Sequence, residues 1–134
     1  MANLIDHELK SQAGFKKLKI WQKGMEIARL VYQSTREFPE EEKFCLVAQM
    51  RRAAISIPSN IAEGYARKNE KEFKQFTYVA LGSLAELETQ CLLASDFGFL
   101  PAHSEIFELV EITRRMILKV CHFDKFNIGE KNEN

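Results

Sequence analysis

A chain of 134 residues and 15.5 kDa is the length of one ordinary domain, long enough to bury a core without disulfides or metals. Lysine plus arginine (19) equals aspartate plus glutamate (19), so no whole-chain field draws it to nucleic acid or to an acidic membrane, and any basic surface must be local. Cys45, Cys91 and Cys121 contain no close pair, which excludes a disulfide framework and a zinc-ligand spacing.

Residues 1–14 read as an N-terminal arm. Asp6, His7 and Glu8 interrupt any signal-peptide-like apolar stretch, and no run approaches the ~20 apolar residues of a membrane span. A cytoplasmic protein with no membrane partner is the expectation. The few glycines and prolines divide the rest into long segments of helical periodicity, which predicts an all-α, up-and-down four-helix bundle over residues 15–127.

The first predicted helix runs from about Phe15 to Glu37 and stops at Phe38-Pro39, because a residue before proline is pushed out of the helical region. It has two apolar faces. Ile20, Ile27, Val31 and Phe38 form one, and Leu18, Trp21, Met25, Ala28 and Tyr32 form the other. A lone bundle covers one face, so the second calls for another subunit or for cover by a loop or the arm.

The second predicted helix spans about Glu42 to Arg67 and is kinked at Pro58, which lacks the amide that would donate to the Ala54 carbonyl. Its core stripe reads Val47, Met50, Ala54, Ile57, Ile61 and Tyr65. The opposite face carries Arg52, Ser56, Ser59, Asn60, Glu63 and Arg67, where short hydroxyl and amide side chains stand in place of the usual Glu, Lys and Gln. Such side chains suit a close backbone approach or a carbonyl at the kink in need of a donor.

The third predicted helix starts at Asn69, whose side chain can cap with Glu72 in a capping-box-like pair, and ends at the C-cap Gly98. Phe73, Phe76, Ala80, Leu84, Leu87, Cys91 and Ala94 are its core stripe, and Gly82 reads as a close helix contact. The fourth follows Pro101, buries Ile106, Val110, Thr113, Ile117 and Cys121, and fades near Asn127 into a disordered tail at 128–134.

Three readings compete for the polar face of the second helix. Arg52, Glu63 and Arg67 can form an ion-pair network at a subunit interface. Arg51, Arg52, Arg67, Lys68, Lys71 and Lys74 can supply phosphate contacts to RNA or a ligand, although from Arg51 to Lys74 six basic residues face three acidic ones, an ordinary surplus. Catalysis by Glu63 or a serine, as in a minor hydrolase or a small-molecule-binding protein, is the third. His7, His103 and His122 are scattered, Cys121-His122 is adjacent rather than one helical turn apart, and no phosphate-binding glycine loop is present, so no metal or cofactor is expected.

The run Gln49-Met50-Arg51-Arg52-Ala53-Ala54 followed by Ser56-Ile57-Pro58-Ser59-Asn60-Ile61-Ala62-Glu63-Gly64 resembles the signature of the bacterial four-helix bundle family encoded within intervening sequences of 23S ribosomal RNA genes. Leu18-x-x-Trp21, Tyr32 with Phe38-Pro39, Phe73-x-x-Phe76 and the segment Ala80-Leu81-Gly82-Ser83-Leu84-Ala85-Glu86-Leu87-Glu88 extend the match from about Phe15 to Leu100. The residues themselves predict a non-enzymatic protein, and the resemblance implies an up-and-down four-helix bundle and a ring-like homopentamer. It also implies kinship with the accessory variability determinant of diversity-generating retroelements, a bundle that binds RNA and a reverse transcriptase. Other copies of the chain, structured RNA and a nucleic-acid enzyme are therefore the expected partners, with Arg51, Arg52, Ser56, Ser59, Asn60, Glu63, Arg67, Lys68, Lys71 and Lys74 as the interface or RNA-binding set.

Overall fold

A computed structural model of the chain describes the backbone of residues 14–133 and the side chains of residues 14–121. Four helices carry the fold: α1 Lys19–Thr35, α2 Leu46–Ala66, α3 Glu70–Asp96 and α4 Glu105–Glu133, with short 3₁₀ turns at Phe15–Lys17 and Glu40–Glu42. Each helix packs on its neighbours in sequence and α4 returns to α1, so the chain closes an up-and-down, four-helix ring with one shared core. The described residues contain no strand.

The ends of the helices follow local chemistry. α1 has no side-chain cap at Leu18; the Phe15 ring instead meets Trp21 edge-on at 5.3 Å, and Gln22 Nε2 donates to the Lys16 carbonyl at 2.9 Å, which fixes the entry of the chain. α1 stops at Thr35, before Phe38-Pro39, as the proline requires. α2 begins at Leu46 rather than near Glu42, because Glu40–Glu42 forms its own turn behind Pro39. α3 opens on Asn69, whose side-chain oxygen accepts from the Glu72 amide at 3.1 Å. It closes on Gly98 at φ 82°, where the Phe99 amide bonds the Ala94 carbonyl (2.8 Å) and the Gly98 amide bonds that of Ser95 (3.0 Å), a Schellman end. α4 is helical to Glu133, past the Asn127 where the apolar pattern fades. The arm at 1–13, including His7, lies outside the described residues, as do the side chains of His122 and of the tail at 128–134.

The core is built from the predicted stripes. Ile20, Ile27, Val31, Met50, Ile57, Ile61, Ala80, Leu84, Leu87, Cys91, Ile106, Val110 and Ile117 are buried, each worth roughly 1.5–3 kcal/mol for the larger aliphatic chains. Thr35, Thr77 and Thr113 share this core because each hydroxyl donates to a carbonyl of its own helix (Val31, Lys74 and Leu109, each 2.7 Å), so no donor is left unpaired.

Two expectations change. Tyr65 is 38% exposed, its place on the core stripe taken by Gly64. Gly82 meets nothing within 4 Å; the close approaches are Gly64, where a Cβ would lie 2.5 Å from Phe76 Cβ, and Gly24, where it would lie 3.2 Å from the Pro58 ring. α2 continues through Pro58 as a single helix, with the proline buried against Gly24 of α1. The pyrrolidine that weakens the helix locally is thus a packing element between α1 and α2.

Candidate functional site

The polar residues of α2 fall into two sets. Ala53, Ser56, Asn60 and Gly64 follow one another at helical spacing, and Gly64 touches Phe76, so this strip flanks α3. Ser56 Oγ donates to the Ala53 carbonyl and Asn60 Nδ2 to the Ser56 carbonyl, both at 2.7 Å, and both side chains are half-buried. Their hydrogen bonds bracket Pro58 within the helix itself. The small polar strip thus meets the close backbone neighbour expected from its composition, and that neighbour is α3 of the same chain; its donors go to the Ala53 and Ser56 carbonyls rather than to the Ala54 carbonyl that Pro58 leaves without its amide. Ser59 is exposed.

The arginines divide likewise. Arg51 is a latch inside the molecule: its Nε donates to Thr35 Oγ1 at 3.0 Å, and its guanidinium lies 4.3 Å from the Tyr32 ring centroid. Arg52 is exposed beside it. Arg67 reaches Glu63 at 3.4 Å and stacks 5.3 Å over Phe76, with the carboxylate and the guanidinium both about half exposed. That pair is a surface contact worth little. Arg51 and Arg67 stand sixteen positions apart on one helix, about 24 Å, so the six cations read together in sequence do not form one patch.

The antiparallel topology assembles a different patch. At the end of the bundle where α1 and α3 begin and α2 finishes lie Lys16, Lys17, Lys19, Arg67, Lys68, Lys71 and Lys74, and Lys119 of α4 joins them, against Glu63, Glu70 and Glu72. The opposite end holds Glu37, Glu40, Glu41, Glu42, Asp96, Glu105 and Glu108 with Arg36 and Lys43. A formal charge of zero thus conceals an end-to-end polarity. Within the basic end, Leu18, Ile20, Phe73, Met116 and Val120 line an apolar groove of about 610 Å³, with Lys19 and Lys119 on its rim.

Two exposed apolar surfaces lie elsewhere. The first joins Tyr32 of α1 to Phe44 and Ile55, with Phe44 85% exposed, and its groove is bordered by Lys43, Arg51 and Arg52 and by no carboxylate. The second is the outer face of α3, where Val79, Leu92, Leu93 and Phe97 (59% exposed) alternate with Gly82, Ala85 and Thr89 and with the acids Glu86 and Asp96. The back of α1 is largely covered by the chain itself: Leu18, Trp21 and Ala28 are half-buried against the core, and Tyr32 is its open part. None of these exposed apolar residues of α2 or α3 was singled out from periodicity. They occupy positions opposite the core stripe, where a helical wheel of a lone bundle places polar side chains.

The titratable groups with displaced pKa values are structural. Burial, then the nearby Glu88 carboxylate, pushes the Cys91 thiol up to about 12. Glu111 is held below the usual carboxylate range by the hydrogen bond from Arg114, with Arg115 adding to it, and Arg114 is raised in turn. Among the described residues no group of three His, Cys, Asp or Glu side chains is placed to hold a metal ion, and no helix is long and apolar enough to cross a membrane.

Residues 16–119 match a protein-family model described as 23S rRNA-intervening sequence protein. That span runs from the first 3₁₀ turn through α1, α2 and α3 and about the first half of α4. No curated protein matches the chain.

Proposed function

The chain belongs to the 23S rRNA-intervening sequence protein family, and from that premise we propose that it is a non-catalytic bundle that assembles with copies of itself into a ring and serves as an RNA-associated scaffold in the cytoplasm. One observation carries the assembly. The monomer exposes two apolar surfaces that differ in shape and in charge, a cationic one around Phe44 and an acidic one on the outer face of α3. Unlike surfaces that fit one another make a heterologous contact, and a heterologous contact that closes gives a ring, here the homopentamer that the family resemblance implies.

The magnitudes favour assembly. A phenylalanine taken from near-full exposure to burial gains roughly 1.5–3 kcal/mol, and Phe44 and Phe97 both have most of that gain still to make. Arg52 and Lys43 facing Glu86 and Asp96 would set register and exclude like-with-like docking of either surface. A bend of α2 at Pro58 belongs to the same proposal, as the feature that sets how its Phe44 end meets a neighbour.

Light scattering on the purified full chain tests the assembly. A particle mass several times 15.5 kDa at micromolar concentration is expected; a clean 15.5 kDa species would overturn it. RNA association is read by co-purifying nucleic acid and by a mobility shift that weakens steeply as salt rises.

A further inference from the structure

We propose that the basic end of the bundle is a binding site for RNA with unpaired bases, in which exposed lysines hold phosphates and the apolar groove over Phe73 takes a base. The inference rests on the RNA-associated reading above and gives it a location, away from Arg51, Arg52 and the serine strip of α2.

Three observations converge there. Lys17, Lys19, Lys68, Lys71 and Lys119 are all exposed and form no ion pair among the described residues, so this end keeps a positive surplus over Glu63, Glu70 and Glu72 although the chain is neutral. Next, the groove they surround is apolar and of about 610 Å³, with Lys19 and Lys119 on its rim and Phe73 in its wall. Tyr65, partly exposed, sets its ring against Phe73 edge-on at 6.1 Å. Cations around aromatic and apolar surface are what an unstacked base and its flanking phosphates require, whereas a duplex keeps its bases inside and offers phosphates alone.

Lys68 supplies the third observation. It turns the chain between α2 and α3 in the left-handed region, at φ 54°, where a side chain costs about 1–2 kcal/mol and glycine costs nothing. Lys68 is an exposed lysine at a position suited to glycine. Its charge is what the position retains, and strain of this kind concentrates at sites of use.

The test uses the full chain and two fluorescein-labelled probes, an unstructured RNA oligonucleotide and a blunt RNA duplex of equal charge, with anisotropy read across a salt series. The wild type binds the single strand more tightly than the duplex. The Lys68→Glu, Lys71→Glu, Lys119→Glu triple variant lowers the slope of log affinity against log salt by about three, one for each phosphate contact removed. Lys68→Gly raises the unfolding midpoint yet weakens binding, a pairing that a merely structural lysine would not produce. Phe73→Leu, which keeps an apolar side chain against the core while removing the ring, weakens single-strand binding by roughly 5- to 100-fold, the range of one lost base stack, and leaves duplex binding unchanged. Arg36→Glu, exposed at the opposite end and in neither proposed surface, changes neither.

Failure separates cleanly. If the wild type binds no RNA at low salt, or binds anionic phospholipid vesicles instead, the RNA-associated reading falls and this site with it. If the wild type binds RNA and the triple variant binds it equally well, the reading stands and the location is wrong.

Discussion

Replacing each of three helical glycines by alanine gives the most direct check on how the bundle packs. At Gly64 the new Cβ would lie 2.5 Å from Phe76 Cβ. That atom is the stem of its side chain and moves only with the α3 backbone. Overpacking of this kind costs about 1–3 kcal/mol, and the better helix propensity of alanine returns about 0.5–1 kcal/mol. The tight contact places Gly64→Ala at a net loss of about 1–2 kcal/mol, a fall in melting temperature of roughly 4–8 °C for a domain of this size. At Gly24 the contacts are to the rigid Pro58 ring at 3.2 Å, close enough that the neighbour must give slightly, so the propensity gain and the packing cost nearly cancel. At Gly82 nothing lies within 4 Å, and alanine stabilises the monomer by about 0.5–1 kcal/mol. Urea unfolding followed by the fluorescence of Trp21, the sole tryptophan, measures all three at the lowest practical concentration, so that self-association adds little. The expected order of stability is Gly82→Ala first, then the wild type with Gly24→Ala close to it, and Gly64→Ala last. A Gly64→Ala protein as stable as the wild type would refute the close approach of α2 to α3.

Arg51→Ala loses the bond to Thr35 and the stack on Tyr32 and destabilises by about 1–2 kcal/mol, while Arg52→Ala, exposed beside it, stays within ~0.5 kcal/mol; equal effects in thermal melts would contradict the latch. Cys45 is exposed and Cys91 and Cys121 are buried, so a thiol reagent added to the native protein labels Cys45 rapidly and the other two only on unfolding. Because burial raises the Cys91 thiol above its unfolded value of 9.0 to about 12, the unfolded chain loses that proton first, and stability falls as pH rises from about 9 towards 12, by about 1.4 kcal/mol per unit. Cys91→Ala, measured against its own value at pH 7, should flatten this slope; an unchanged slope would show that Cys91 is not its source.

Much of the architecture was legible because its determinants are local. Asn69 with Glu72, Gly98 after the last turn of α3, and Pro39 after Phe38 are each decided within a few residues, and the stripes of α3 and α4 need only the helical period. Gly64 and Tyr65 both meet α3, the glycine by close approach of its backbone and the tyrosine by the edge of a ring that stays 38% exposed, and a wheel that scores apolar side chains counts the tyrosine and passes over the glycine. The serine-and-asparagine strip was read correctly as unusual, yet nothing in its spacing says whether the backbone it approaches belongs to another chain or to α3. The basic end was out of reach for a different reason. Its lysines come from the start of α1, the α2–α3 turn and the far part of α4, so a running count finds only an ordinary surplus until the antiparallel packing brings the segments together.

The proposed assembly is tested most directly by breaking its two surfaces separately and mixing the products. One variant carries Phe44→Ser with Arg52→Glu, and the other Leu93→Ser with Phe97→Ser; all four side chains are exposed, so both should fold. Native mass spectrometry of each alone should show a monomer, and of the equimolar mixture a heterodimer that grows no further, because each partner contributes its one intact surface. Either variant alone keeping the wild-type particle mass, or a mixture that stays monomeric, would contradict a ring built from these two faces.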